Sequence, residues 1–112
     1  MRESAPELTP TRMSTAGQRM ELAGRLDVHT AADVRLALVA AVSAGSGDLV
    51  VDLSRVEAID ATGLGVLVGA HRRADRAGRT LVLSDCSSAV TRVLFLTRLE
   101  KVLHTCVTSA VA

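Results

Sequence analysis

The second half of the chain alternates between short apolar runs and stretches with helical spacing. Leu49–Leu53 and Thr80–Ser84 are rich in Val and Leu and are typical of strands buried on both faces. Between them, apolar residues recur every three or four positions after Asp60, which predicts a helix. A third helix and a last strand follow, over Ser87–Leu96 and Val102–Cys106. Such alternation predicts parallel strands joined by right-handed crossovers.

The first half adds a predicted hairpin and one more helix. Two strands, Leu8–Met13 and Gln18–Ala23, flank a turn at Ala16–Gly17. Thr30 is a predicted N-cap, and the apolar residues after it share one helical face: Val34, Ala37, Leu38, Ala41 and Val42. Three glycines are predicted to end the second strand and the first two helices: Gly24, Gly45 and Gly78.

These elements predict an α/β domain with the order ββαβαβαβ. Its mixed sheet has four or five strands, with an N-terminal hairpin followed by a parallel βαβαβ unit and its helices. The length of 112 residues fits one domain. We expect residues 1–7, which are polar and contain Pro6, to be disordered. Residues 8–112 are then a single domain, and a helix is expected to begin after Cys106.

The charge balance argues against nucleic acid as a partner. The chain has 13 basic and 12 acidic residues, so its net charge of +1 provides no long-range field. Phe95 is the only Phe, Tyr or Trp, which leaves no platform for stacking bases. Four arginines near Asp75 are interpreted as the solvated face of a helix rather than a phosphate-binding patch: Arg72, Arg73, Arg76 and Arg79.

The hydropathy of the chain gives no sign of a membrane segment. No apolar run approaches the roughly 20 residues that a bilayer-spanning helix needs. The N-terminus lacks the apolar central region of a signal peptide. We therefore expect a cytoplasmic protein without direct membrane insertion.

No catalytic or cofactor motif is present in the sequence. Nucleophile-elbow, zinc-protease, phosphate-loop and dinucleotide-binding patterns are missing, so we expect no enzyme activity, no cofactor and no metal. Cys86 and Cys106 do not form a disulfide framework and are interpreted as inert, reduced thiols. His104 and Cys106 would share one face of a strand. A small hydrolase or thiol redox protein that uses these three residues stays open as an alternative.

Chemistry and position coincide in the segment from Ile59 to Gly65. It follows a strand and opens a helix, where free backbone N–H groups and the positive end of the helix dipole meet. A hydroxyl there, as on Thr62, is well placed to carry a phosphate. The alternative is that Asp60 only caps the helix and Thr62 only occupies its first turn. The glycines of Gly63–Leu64–Gly65 are expected to let the helix lie close to a neighbouring strand.

Two stretches of the chain resemble one known family. The run VVDLSRVEAIDATGLGVLVGAHRRADRAG resembles the strand, switch loop and helix of STAS domains in bacterial anti-sigma-factor antagonists. The earlier segment GRLDVHTAADVRLAL resembles the GELD-x-x-TA stretch of the same family. The resemblance covers residues 18–106 and implies the STAS fold.

The resemblance also implies a function in transcription regulation by partner switching. In this family, the antagonist binds an anti-sigma factor of the serine/threonine kinase type and so releases a sigma factor. The kinase phosphorylates a Ser or Thr directly after the Asp of the switch loop, and a phosphatase reverses the modification. The alternative function is that of a cytoplasmic STAS subunit in a membrane transporter complex.

For this chain, the resemblance implies a partner-binding switch loop and one further residue that lies near this loop in the family. The residues that match are Asp60, Gly63 and Leu64 in the switch loop and Asp27 in the earlier motif. Where the earlier motif of the family has Glu, this chain has Arg25. The phosphoacceptor position falls on Ala61, which has no hydroxyl, and Thr62 follows it. Three explanations stay open: an antagonist that is always active, phosphorylation of Thr62 instead, or an engineered Ser→Ala replacement.

Overall fold

The computed structural model describes residues 9–13 and 18–107. The expectations for residues 1–7, for the turn at Ala16–Gly17 and for a helix near the C-terminus concern segments that lie largely outside these ranges. Within them the chain forms five strands, three α-helices and one short 3₁₀ turn. Their bounds in chain order are β1 Thr9–Met13, β2 Arg19–Leu26, α1 Ala31–Ser43, β3 Leu49–Ile59, α2 Ala61–Arg76, β4 Leu81–Ser84, α3 Ser88–Thr97, the 3₁₀ turn Leu99–Lys101 and β5 His104–Cys106.

The strands form one mixed sheet whose spatial order follows the chain order, β1-β2-β3-β4-β5. β1 pairs with β2 in the antiparallel sense, and every later pair is parallel. This arrangement confirms the predicted α/β class, the N-terminal hairpin and the parallel βαβαβ unit. Because β2 and β3 are parallel neighbours, their carboxyl ends lie side by side, and the loops that lead into α1 and α2 meet there.

The core is built from alternate residues of the three central strands. The side chains of Leu22 in β2, Val51 and Leu53 in β3, and Leu83 in β4 are fully buried. The residues between them, such as Val82, are only partly buried. This period of two is that of a sheet with one well-covered face. The expectation that β3 and β4 are buried on both faces was therefore wrong.

Three element boundaries differ from the sequence-based expectation. Gly24 does not end β2, which continues to Leu26: its φ of 94° lets the backbone bend, and the register with β3 shifts beside it. β3 likewise continues beyond Leu53 to Ile59. The last strand begins at His104 because the N–H groups of Val102 and Leu103 donate back to the Leu99 carbonyl at the 3₁₀ turn. The longer β2 and β3 bring the following loops next to each other.

Arg79 is buried, in contrast to the other arginines of its run. It is 4% exposed, and its guanidinium donates hydrogen bonds to the carbonyl oxygens of Ala41 at 2.9 Å, Val42 at 3.0 Å and Gly47 at 2.9 Å. A guanidinium has five donors and suits the unpaired carbonyls and negative dipole at the end of α1. The prediction of a solvated face is confirmed for the exposed Arg72, Arg73 and Arg76 and wrong for Arg79.

Candidate partner-binding site at the start of the second helix

Asp60 joins the two loops that meet at the carboxyl ends of β2 and β3. As the N-cap of α2, its Oδ1 accepts a hydrogen bond from the N–H of Gly63 at 2.9 Å. Its Oδ2 accepts one from the N–H of Val28 at 3.3 Å, across to the loop before α1. The Asp60 N–H donates to the carbonyl of Leu26 at 3.2 Å. One residue therefore caps the helix and fixes the neighbouring loop.

The loop between β2 and α1 is folded around Asp27 and Thr30. The Thr30 hydroxyl accepts a hydrogen bond from the Asp27 N–H at 3.0 Å and donates to the carbonyl of Arg25 at 2.9 Å. Asp27 Oδ1 accepts from the His29 N–H at 2.9 Å, and Oδ2 accepts from Arg25 Nε at 3.2 Å. Thr30 stands at the predicted N-cap position but makes no side-chain cap bond, because its hydroxyl is used within the loop.

The carboxyl group of Asp27 is held in its charged form by its surroundings. Its burial by itself disfavours the charge and raises the pKa. The hydrogen bond from the His29 N–H and the contact with the Arg25 guanidinium have the opposite effect and prevail. The pKa of Asp27 is consequently lowered from its ordinary value of 3.8. The loop therefore contains a stable carboxylate at neutral pH.

Gly63 and Leu64 position the loop from the inside. A Cβ at Gly63 would overlap the carbonyl oxygen of Leu26, so only glycine allows α2 to begin this close to β2. The Leu64 side chain is 8% exposed and belongs to the core. Gly65 differs, since a Cβ there would meet nothing within 4 Å. The expected close approach is confirmed for Gly63 and wrong for Gly65.

The residues that face solvent form a small surface, here called the loop surface, made of Val28, His29, Asp60, Ala61 and Thr62. Val28 is 61% exposed although it is apolar. The Thr62 hydroxyl makes no hydrogen bond to any described residue. Val28 and His29 were not among the predicted site residues; the signal available was an apolar residue in a loop directly after Asp27.

Cys86 is a poor candidate for a nucleophile because its surroundings keep the thiol protonated. Both cysteines are free, and burial raises the pKa of Cys86 to about 11, with the charge of Asp85 adding to the effect. A protonated thiol is a poor nucleophile. The His104 ring lies 5.4 Å from that of His71, which is buried. Within residues 9–13 and 18–107, no group of three His, Cys, Asp or Glu side chains could hold a metal ion.

The chain belongs to the STAS domain family: the family model described as "Mlab, STAS domain" matches residues 10–105. Among named relatives, the anti-sigma-B factor antagonist of Bacillus subtilis is 33% identical over 85 residues, which cover 76% of this chain and 77% of the relative. No helix in the described part of the chain is long and apolar enough to cross a membrane.

Solved structures agree with this membership. An anti-sigma factor antagonist from Mycobacterium paratuberculosis superposes with a TM-score of 0.77 at 25% identity, covering 88% of this chain and 85% of that one. The phosphorylated form of the Bacillus cell fate determinant SpoIIAA superposes with a TM-score of 0.63 at 21% identity, covering 88% and 89%. The fold described above is therefore the STAS fold.

Proposed function

We propose that this protein is an anti-sigma-factor antagonist that binds an anti-sigma factor through the loop surface and so releases a sigma factor. The observation that carries the proposal is the start of α2. There Asp60, Ala61 and Thr62 are exposed, while Asp60 ties them to the loop of Val28. The names of the relatives support the same function. The protein acts in the cytoplasm, by binding rather than by catalysis.

The loop surface has the properties of a prepared docking site. Its two loops are fixed by hydrogen bonds before any partner arrives, which lowers the entropy that binding must overcome. Unlike the Gly63 N–H, which is bonded to Asp60, the N–H groups of Ala61 and Thr62 have no partner within the helix and can donate to a carboxylate or carbonyl group of the anti-sigma factor. Val28 supplies apolar area beside them. Asp27, Gly63 and Leu64 contribute by holding these groups in place.

The partner is of the serine/threonine kinase type, and a phosphatase opposes it. Ala61, at the family's acceptor position, cannot be phosphorylated, and the exposed Thr62 hydroxyl is the candidate acceptor. A phosphate at a helix N-terminus is compatible with the fold, because the dipole favours negative charge there. The same charge in the contact surface would oppose binding.

The test is a titration of the kinase-type anti-sigma factor encoded in the same genome against four forms of the protein. They are the wild type, Ala61→Asp, Thr62→Asp and Ser88→Asp. The last is the matched control, since Ser88 is the exposed first residue of α3. A desolvated, unpaired charge costs roughly 2–5 kcal/mol at an interface, so Ala61→Asp should weaken binding by about one to three decades. Ser88→Asp should bind as the wild type does.

Two results would contradict the proposal. If Ala61→Asp and Thr62→Asp both bind with unchanged affinity, the loop surface is not the contact. If the protein ignores the anti-sigma factor and instead binds a transporter subunit, the alternative STAS function replaces this one. Incubation with the partner and ATP tests the switch separately: phosphate on Thr62 would place it one residue later than in the family. Without any phosphate, the antagonist cannot be switched off in this way.

A further inference from the structure

A groove of about 320 Å³ lies between α1 and α2. Gly65 lines it and lies three residues, about one helical turn, after Thr62 of the loop surface. Apolar side chains from both helices, among them Leu38 and Val66, lie at its base. The groove and the loop surface are therefore neighbours along one helix.

Four arginines surround this groove: Arg35 from α1 and Arg72, Arg73 and Arg76 from α2. None of their guanidinium groups makes a hydrogen bond or an ion pair with any residue in the described ranges. The carboxylate nearest in sequence, Asp75, lies 3.6 Å from His71 Nε2 instead. Four unpaired cations around one depression, in a chain of net charge +1, favour an anionic occupant.

The groove is open because two helix positions carry no side chain. A Cβ at Gly65 or Gly69 would meet nothing within 4 Å, so both positions leave room beside the apolar base. Helical glycine is unfavourable by itself. At Gly63 a close contact explains it, but Gly65 and Gly69 have no such contact with any residue that the structure describes.

We propose that this groove binds an acidic, amphipathic segment of the anti-sigma factor, so that the partner contacts the loop surface and the groove together. The inference rests on the function proposed above. Apolar side chains of the segment would cover the base of the groove, and its carboxylates would pair with the arginines. A nucleotide is a poorer fit because no aromatic side chain lines the groove for its base. A lipid bilayer is a poorer fit because the surface is concave.

The first experiment uses a defined probe and does not depend on the partner. The probe is a short synthetic helical peptide with Leu at helical spacing and Glu at most other positions. The same peptide with Lys in place of Glu is its control. The acidic peptide should bind the wild type more weakly as salt increases. The acidic peptide should also shift the amide resonances of Gly65 and Gly69. The Lys peptide should neither bind nor shift these resonances.

Two variants and one control locate this binding. The double variant Arg35→Glu/Arg72→Glu should weaken binding of the acidic peptide by about tenfold or more, because attraction becomes repulsion. Gly69→Leu fills the groove without changing charge and should weaken binding to a similar degree. Arg92→Glu is the matched control, because Arg92 is exposed on α3 outside the groove, and it should bind as the wild type does. Thermal melts of all variants identify any loss of folding.

The results separate failure of the groove from failure of the proposed function. If the anti-sigma factor binds the wild type, loses affinity with Ala61→Asp and is unaffected by the groove variants, the groove inference is overturned and the function stands. If the acidic peptide binds in the groove but the anti-sigma factor does not bind at all, the proposed function fails and the acidic-segment site stands. Binding to ATP, inorganic phosphate or phosphatidylglycerol vesicles without binding to the peptide overturns the groove inference.

Discussion

Asp60 and Arg79 have similar roles at helix termini at two ends of the molecule, but the consequences for the protein differ. Each is a charged side chain that satisfies backbone groups left unpaired at a helix terminus. Arg79 donates to carbonyl oxygens at the end of α1 and is 4% exposed. Asp60 accepts from the Gly63 N–H at the start of α2 and faces solvent. Because Arg79 is buried, it contributes to stability. Because Asp60 is exposed, it is also accessible to a partner.

The largest expected effect is the loss of stability when Arg79 is replaced. Arg79→Ala leaves several buried carbonyl groups without a donor, and each such group costs about 1–3 kcal/mol. We expect a loss of roughly 3 kcal/mol in the free energy of unfolding, measured by urea denaturation. Arg79→Lys should retain only part of the stability of the wild type, because a lysine ammonium group lacks the planar, forked arrangement of donors that lets the guanidinium bond several carbonyl oxygens.

The control is Arg76→Ala, which removes an exposed arginine of the same run. It should change stability by less than about 0.5 kcal/mol. Equal stability of Arg79→Ala and Arg76→Ala would show that the buried contacts contribute nothing, and the contrast between the two helix ends would disappear.

A smaller effect, divided between stability and binding, is expected at Asp60. Asp60→Ala removes the N-cap of α2 and should cost about 1 kcal/mol. Ser87→Ala is the matched comparison, because Ser87 caps α3 through a hydrogen bond from Val90 N–H at 3.3 Å. The two variants should lose similar stability in denaturation curves.

Only one of these variants should lose affinity for the anti-sigma factor. Asp60→Ala also removes the hydrogen bond to Val28 and so frees the loop before α1. The hydrogen bonds of Ser87 go to Val90, Thr91 and Leu53, none of which belongs to the loop surface. Comparable binding losses in Asp60→Ala and Ser87→Ala would mean that partner binding responds to general stability and not to this loop.

Local signals predicted most of the fold and two features of the candidate site. The cap at Asp60 and the close approach at Gly63 are properties of a few adjacent residues, so the sequence alone indicated both. The role of Arg79 was not accessible in this way. The chain reverses at Gly78, with φ of 74°, and carries Arg79 away from the exposed arginines before it in the sequence. The contact between Val28 and Asp60 joins residues 32 apart and exists because β2 and β3 are parallel neighbours.

The smallest expected effect is a pH dependence that originates in the loop of Asp27. Its pKa is lower in the folded chain than the ordinary 3.8, so the folded state favours the carboxylate. The resulting stabilisation is present above the ordinary value and is lost as the pH falls through the lower folded value. Melting temperatures of the wild type and Asp27→Asn should therefore differ most near neutral pH and converge below about pH 3.8.

Asp48→Asn, which removes an exposed carboxylate without loop hydrogen bonds, is the control. If the gap between wild type and Asp27→Asn stayed constant down to low pH, the charge of Asp27 would not be what holds the loop beside Asp60. The hydrogen bonds of the Thr30 hydroxyl would then be sufficient.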